Sequence, residues 1–395
     1  MDNRIKELDG LRGIAVVLVM TLHLFSRAKE FTAHPVLESF SFFATVGWVG
    51  VDIFFTLSGF LITSILLKSK SDEHYFRNFY VRRILRIFPL YYAAILFVLL
   101  FAPKLEEQFT EQLRTTLPIM LLYVQNWAKL SKDFFITPYL GITWSLAIEE
   151  QFYFLWPFIV YKLDRDTLVK FSIGYIVISI VGRILTTLLW PSLWQTSTFF
   201  YYTSFSRFEE MLFGGLLAVF LTYDGARDKV RRFATPLFLI SFSTFVLLAF
   251  LSLPGMPHPA HHNLPLTLGG YTTAALFTVG LIGIFVTYPP RNFFRRIFGF
   301  PVLTFFGKYS YSMYLFHMTP ALILLDVFWH SELRGWKAYI LYPLTTYIAT
   351  VIIALLTWHL FEKHMLGLKK YFEYKPAEKQ SIEQLSQTAN PGETS

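Results

Sequence analysis

The sequence contains no cysteine. That excludes disulfides, iron–sulfur ligation, a thiolate nucleophile and palmitoylation on its own side chains, and leaves the redox compartment unreadable. Charge is also scarce: 16% of the 395 residues are Asp, Glu, Lys or Arg, against 54% that are hydrophobic. A water-soluble domain of this length does not have that mix. There is no repeat at a fixed period, no GxSxG elbow and no HExxH zinc pattern.

In their place stand 43 Phe, 22 Tyr and a series of long apolar runs. The runs fall at 11–27, 46–67, 87–102, 143–161, 171–190, 207–222, 234–253, 266–287, 309–329 and 338–361. Each approaches the roughly 20 residues that a helical membrane span requires. Lipid satisfies no unpaired backbone group, so spanning segments are helices or closed barrels, and continuous apolar runs select helices. The expected fold is therefore all-α, a polytopic membrane protein of about ten transmembrane helices. A shorter run from Thr115 to Trp127 contains Pro118 and reads as a re-entrant or interfacial segment. The first run lacks a small-residue cleavage site and reads as a retained helix. Most of the 35 lysines and arginines lie in alternate loops, the set that includes both ends of the chain. The positive-inside rule then puts both termini in the cytoplasm. The formal charge of +8 reflects this topology and anionic membrane lipids, not nucleic acid. Residues 1–365 form the transmembrane domain, and residues 366–395 a polar tail expected to be disordered.

Ionisable residues inside spans are costly and by default face a functional interior. Arg12 and His23 are eleven residues apart, which puts them on one helical face, separated by about 16 Å along the axis. Asp52 sits about 9 Å from the outer end of the second span, and Glu149 and Glu150 lie at a comparable depth in theirs. Arg82, Arg83 and Arg86 crowd the other end of the third span, level with Arg12. Two storeys are expected, one basic and one of histidine and carboxylates. Each element has a plainer alternative. A lone membrane histidine is often a packing residue, the arginines serve as positive-inside anchors, and Asp52 or a glutamate neutralises Arg183, Arg207 or His317.

At these residues the chain resembles the membrane-bound acyltransferase 3 family, over about residues 4–365. The resemblance rests on RIKELDGLRGIAVVLVMTLHLF with Arg12 and His23, GWVGVDIFFTLSGFLIT, RRILRIFPLYY, TWSLAIEEQFYFLWP, RFEEMLFGGLLA and FGKYSYSMYLFHMTP, in that order. Glu362, Lys363 and His364 depart from the Glu-basic-Pro ending common in the family, and the C-terminal hydrolase-like domain of many relatives is absent from this sequence.

The resemblance implies an enzyme of the bacterial inner membrane that moves an acyl group, acetyl by default, from acyl-coenzyme A to a surface glycan, a lipid-linked saccharide or a small molecule such as a macrolide. Acetyl-coenzyme A is then the donor, no metal is expected, and membrane lipids are the other partners. Arg12, Arg83 and Arg86, with Lys308, are assigned to the donor, because guanidinium forks suit its phosphates. His23 is assigned as the base or as the acyl-accepting group, helped by Glu149 or Asp52. Trp144, Glu150, Arg207 and His317 are assigned to the acceptor. Trp48, Trp127, Trp144 and Trp194 are candidate sugar-stacking rings, with aromatic-belt anchoring as the alternative. His258, His261 and His262 in the PHPAHHN loop read as solvated, not as metal ligands. The competing classes are a secondary transporter and a membrane scaffold or lipid-linked glycan flippase; binding of acyl-coenzyme A separates them from an acyltransferase.

Overall fold

The computed structural model describes residues 5–105, 108–131, 137–190, 199–252 and 263–374, with the side chains of 102–105 and 108–114 undescribed. Every regular element among them is helical. The helices that position the site are α1 (Lys6–Ala28), α2 (Val49–Lys68), α3 (Tyr75–Leu105), α4 (Trp144–Lys162), α5 (Arg165–Leu189), α6 (Ser204–Phe220), α7 (Ala226–Leu251), α8 (Tyr271–Thr287), the paired α9a (Ser310–Phe316) and α9b (Met318–His330), and α10 (Gly335–Thr357). Trp194, His258, His261, His262 and the tail from 375 onward lie outside the described residues.

Seven helical segments are long and apolar enough to cross a membrane, or eight if the bent α9a–α9b pair is one span. The ten apolar runs thus correspond to helices of unequal character. Within α4 the Glu149-Glu150-Gln151 stretch dilutes the hydropathy, and α6 has only 17 residues. Both are nonetheless packed within the bundle. The α9 run breaks at His317, where its halves meet at 45°. Pro320 explains the break, because it has no N–H to donate to the Phe316 carbonyl and its ring crowds that turn. The Thr115–Trp127 segment is also broken, into a helix ending at Leu121 and a short one over Gln125–Ala128.

Burial separates centre from rim. In α2, 72% of the apolar window is buried, against 17% in α7. Phe233, Ile240 and Leu247 recur every seventh residue on α7 and are all exposed, a stripe suited to lipid and not to water. The central helix α2 packs against α1, α4, α6 and α8. Lipid chains are as apolar as leucine, so close packing of small residues carries much of helix association in a membrane. Gly59 on α2 and Gly214 on α6 face each other's helices so closely that a Cβ on either would lie 1.9 Å from a carbonyl oxygen, of Met211 and Thr56 respectively. Helix α1 approaches the Pro301–Lys308 helix in the same way, through Gly13 and Gly307, and at Gly10 it meets the Phe298 carbonyl just before that helix. At the α4–α5 corner, Asp164 caps α5 by accepting from the Thr167 amide at 2.9 Å and its hydroxyl at 2.8 Å. These two donors hold its carboxyl below the usual carboxylate range.

Candidate active site

The packing of α1, α2, α3, α4 and α9a leaves a cavity of about 190 Å³. Arg12 from α1 and Arg83 and Arg86 from α3 line it together with Glu149, Ser58 and Tyr153. Two of the expected groups, the arginines and Glu149, are therefore brought to one space. Arg12 donates to Asp9 at 2.7 Å. Arg83 rests against the Phe79 and Tyr153 rings, and neither it nor Arg86 makes an ion pair among the described residues. Three guanidiniums with one directly bonded carboxylate give the cavity an excess of positive charge, which an anion would offset. Arg82 has a different part. It donates to the Lys369 and Phe372 carbonyls at 3.1 and 3.2 Å and so ties α3 to the segment that follows α10. Lys308 is exposed, its ammonium over the Tyr309 and Trp358 rings, and does not line the cavity.

Glu149 and Tyr153 are four residues apart on α4 and so share a face. The Tyr153 hydroxyl is hydrogen-bonded to Ser58 of α2, and Glu149 stands beside both hydroxyls. Glu150, rotated by about 100°, opens instead onto a separate groove shared by α3, α4, α5 and α6. Adjacent glutamates on one helix thus serve two different spaces.

Among the described residues, His23 pairs with another histidine, where Glu149 or Asp52 was expected beside it. Its Nδ1 lies 3.0 Å from Nε2 of the buried His317. The break between α9a and α9b fixes the His317 ring, whose Nδ1 faces the Tyr314 carbonyl at 2.8 Å and that of Met313 at 3.3 Å. A carbonyl only accepts, so Nδ1 of His317 carries its proton. With both rings neutral, Nε2 of His317 accepts from Nδ1–H of His23, and the His23 lone pair falls on Nε2. The pair thus assigns the tautomer a general base requires, the orienting part that a carboxylate plays in other triads. Tyr314, three residues before His317, lines the arginine cavity and bonds to Ser145 at 2.6 Å, so one helical turn joins the cavity to the histidine pair.

Asp52 is engaged elsewhere. Its Oδ1 accepts from Arg207 Nη2 at 2.5 Å, and Arg207 Nη1 lies 2.7 Å from Glu210 Oε1. Arg183 and Glu209 pair at 2.8 Å, with Ser179 and Thr272 also on Glu209. All five charged side chains are fully buried, and they join α2, α5, α6 and α8. Asp52, assigned to catalysis, and Arg207, assigned to the acceptor, thus fit the plainer alternative of charge neutralisation within the bundle, and neither lines the arginine cavity. Trp144 is buried with its ring against Tyr201 and Tyr202, at 4.7 and 4.8 Å between centroids. Trp48 is likewise buried, against Phe245 and Tyr271. Trp127 remains half-exposed on the rim of the second groove.

Sequence reasoning passed over Ser58, Tyr153 and Tyr314. Two had a readable signal, the i to i+4 step from Glu149 to Tyr153 and the i to i+3 step from Tyr314 to His317. Ser58 had none, because its position depends on how α2 meets α4.

Comparison with known proteins gives the family of the chain. An acyltransferase domain family, acyltransferase 3, matches residues 5–359. The chain is 29% identical to the peptidoglycan O-acetyltransferase OatA of Listeria monocytogenes, covering 93% of this chain and 57% of the relative. It is also 29% identical to a Bacillus subtilis protein named "Putative peptidoglycan O-acetyltransferase YrhL", covering 90% and 54%. A Staphylococcus aureus protein named "Putative O-acetyltransferase" is 30% identical over 78% of this chain and 49% of its own length. The chain thus spans about half the length of these curated relatives. No solved structure matches it. The matched region contains both the arginine cavity and the histidine pair, and by that match the chain belongs to the acyltransferase 3 family.

Proposed function

We propose that the protein is an O-acetyltransferase that takes an acetyl group from acetyl-coenzyme A on the cytoplasmic side of the bacterial inner membrane and passes it to a glycan hydroxyl on the other side. The observation that carries this reading is the cavity lined by Arg12, Arg83 and Arg86, whose lining also includes Tyr314, one helical turn from the His317 that pairs with His23. The donor phosphates bind at the guanidiniums, and the pantetheine arm carries the thioester toward Tyr314 and His23. Nε2 of His23 takes the proton of the acceptor hydroxyl as its oxygen attacks the thioester carbonyl. The C–S bond then breaks, and the imidazolium returns the proton to the departing thiolate. Attack by His23 itself, giving an acyl-histidine that the hydroxyl then resolves, uses the same residues. The relatives' names supply the acetyl group and the cell-wall glycan class.

Calorimetry with acetyl-coenzyme A on purified protein tests the donor half. A charge-assisted hydrogen bond contributes on the order of 1.5–3 kcal/mol. Arg83→Ala or Arg86→Ala should therefore weaken donor binding by roughly tenfold to a hundredfold, with thermal stability retained. Unchanged affinity in both variants would remove them from the donor site. A transporter or scaffold should not bind acetyl-coenzyme A at all.

We further propose ten spans with both termini cytoplasmic, α4 and α6 crossing with the others and α9a–α9b counting as one. Reporter fusions after Lys70, Lys229 and Lys308 should read cytoplasmic, and fusions after Pro35 and His262 should read the opposite side. A cytoplasmic signal at His262 would overturn this topology.

A further inference from the structure

Arg27 is the last charged residue of α1, four residues past His23. That step keeps it on the same face and carries it about 6 Å farther along the axis, away from Arg12. His23 therefore stands between the donor's cations and Arg27. His23 and Arg27 are both half-buried, whereas His317 is fully enclosed, so the histidine pair is reached at His23, beside Arg27. Arg27 Nη1 donates to the His23 carbonyl at 2.9 Å. This bond suits a cation in the last turn of a helix, where backbone carbonyls lack partners. It occupies one corner of the guanidinium only. The Nε–Nη2 edge has no partner among the described residues, and Arg27 makes no ion pair among them. Glu30, one turn on, is exposed and does not pair with it. The neighbouring hydroxyls are engaged: Ser26 donates to the His23 carbonyl at 3.1 Å, and Tyr342 to the Ala321 carbonyl at 3.1 Å. In the proposed topology this is also the side where basic residues are scarce, so Arg27 has no part as a positive-inside anchor.

The charge of Arg27 is felt at His317 and at Tyr342. Like charges repel, so an uncompensated guanidinium here works against the imidazolium that forms on His23 during transfer. A negative group set against the Nε–Nη2 edge removes that penalty. The edge presents two parallel N–H donors, the geometry that matches a planar carboxylate. The axial step from His23 to Arg27 is comparable to the width of one sugar residue, so the carboxylate and the reacting hydroxyl belong to the same sugar.

We propose that Arg27 selects an acidic acceptor by binding a carboxylate on the sugar whose hydroxyl meets His23. The proposal rests on the acetyltransferase reading and narrows its acceptor class. The test uses the full chain in nanodiscs with acetyl-coenzyme A and two acceptors, N-acetylmuramic acid and its methyl ester, which share every hydroxyl and differ in one charge. Wild-type protein should use the acid with at least tenfold higher kcat/KM. Arg27→Gln should lower kcat/KM for the acid at least tenfold and raise kcat with the ester, since the uncompensated cation is gone. Arg27→Lys, which keeps a charge at the helix end but not the two-donor edge, should lose most of the preference. Acetyl-coenzyme A affinity and melting temperature should stay unchanged in both variants. A cation that served only the helix end would make acid and ester fall together in Arg27→Gln, and that result would overturn the proposal. Equal use of the two sugars by wild-type protein, preference for the ester, or transfer to neither would overturn it as well. Wild-type protein that fails to bind acetyl-coenzyme A would instead overturn the reading beneath it.

Discussion

His23→Ala should abolish acetyl transfer in reconstituted membranes while acetyl-coenzyme A still binds. The expected loss is about 10² to 10⁴-fold, the usual contribution of a positioned general base. If His23 is the acyl-accepting group the loss is larger still. Arg12 lies three turns from His23 on α1, and His23 does not line the arginine cavity, so removing the imidazole should leave the proposed phosphate contacts in place. His317→Gln is the informative companion. Glutamine keeps a donor and an acceptor but not the ring's fixed geometry, so His23 loses the partner that sets its tautomer. Turnover should fall less than in His23→Ala, with donor affinity unchanged. Substantial activity in His23→Gln at matched protein levels would make His23 a packing residue and move the base to Glu149, Glu150 or His317.

Arg207→Ala should prevent the protein from accumulating as a folded monodisperse species. Arg207 is wholly buried, contacts Asp52 and Glu210, and lies 4.5 Å over the Tyr271 ring. Removing one partner of a buried ion pair costs on the order of 3–5 kcal/mol, because the remaining charge stays unpaired. Here two carboxylates on two helices lose their cation at once. Arg207→Lys should rescue only in part, since one ammonium cannot reproduce a planar fork that serves both acids. Adding Asp52→Asn to Arg207→Ala should recover some thermal stability by removing one uncompensated charge. Size-exclusion profiles and melting by tryptophan fluorescence read both effects. An unchanged melting temperature together with a raised acceptor KM would return Arg207 to acceptor binding.

The sequence carried the helices and their charged residues, because a span must be apolar over its length and each ionisable residue in it stands out. Arg12, Arg83, Arg86 and Glu149 were legible in this way, and the structure places all four on one cavity. Partner choice was not legible. His23, Asp52 and Glu149 were expected at one depth, but depth along an axis does not say which way a side chain faces across the bundle. Asp52 faces α6 because Gly59 and Gly214 bring α2 and α6 into close contact and present it to Arg207. The partner of His23 depends on the break at His317, which Pro320 signals locally but whose direction is set by packing against α1 and α10. The separation of Glu149 from Glu150 follows from helix geometry alone, yet the two spaces they serve appear only once α3, α5 and α6 surround α4.

The most direct test of the account is mass spectrometry of the surface glycans from cells expressing wild-type or His23→Gln protein at equal membrane levels. The account predicts that one acetyl increment present in the wild type is missing from the variant, as it is from a deletion strain. The same increment at full abundance in the His23→Gln cells would contradict it.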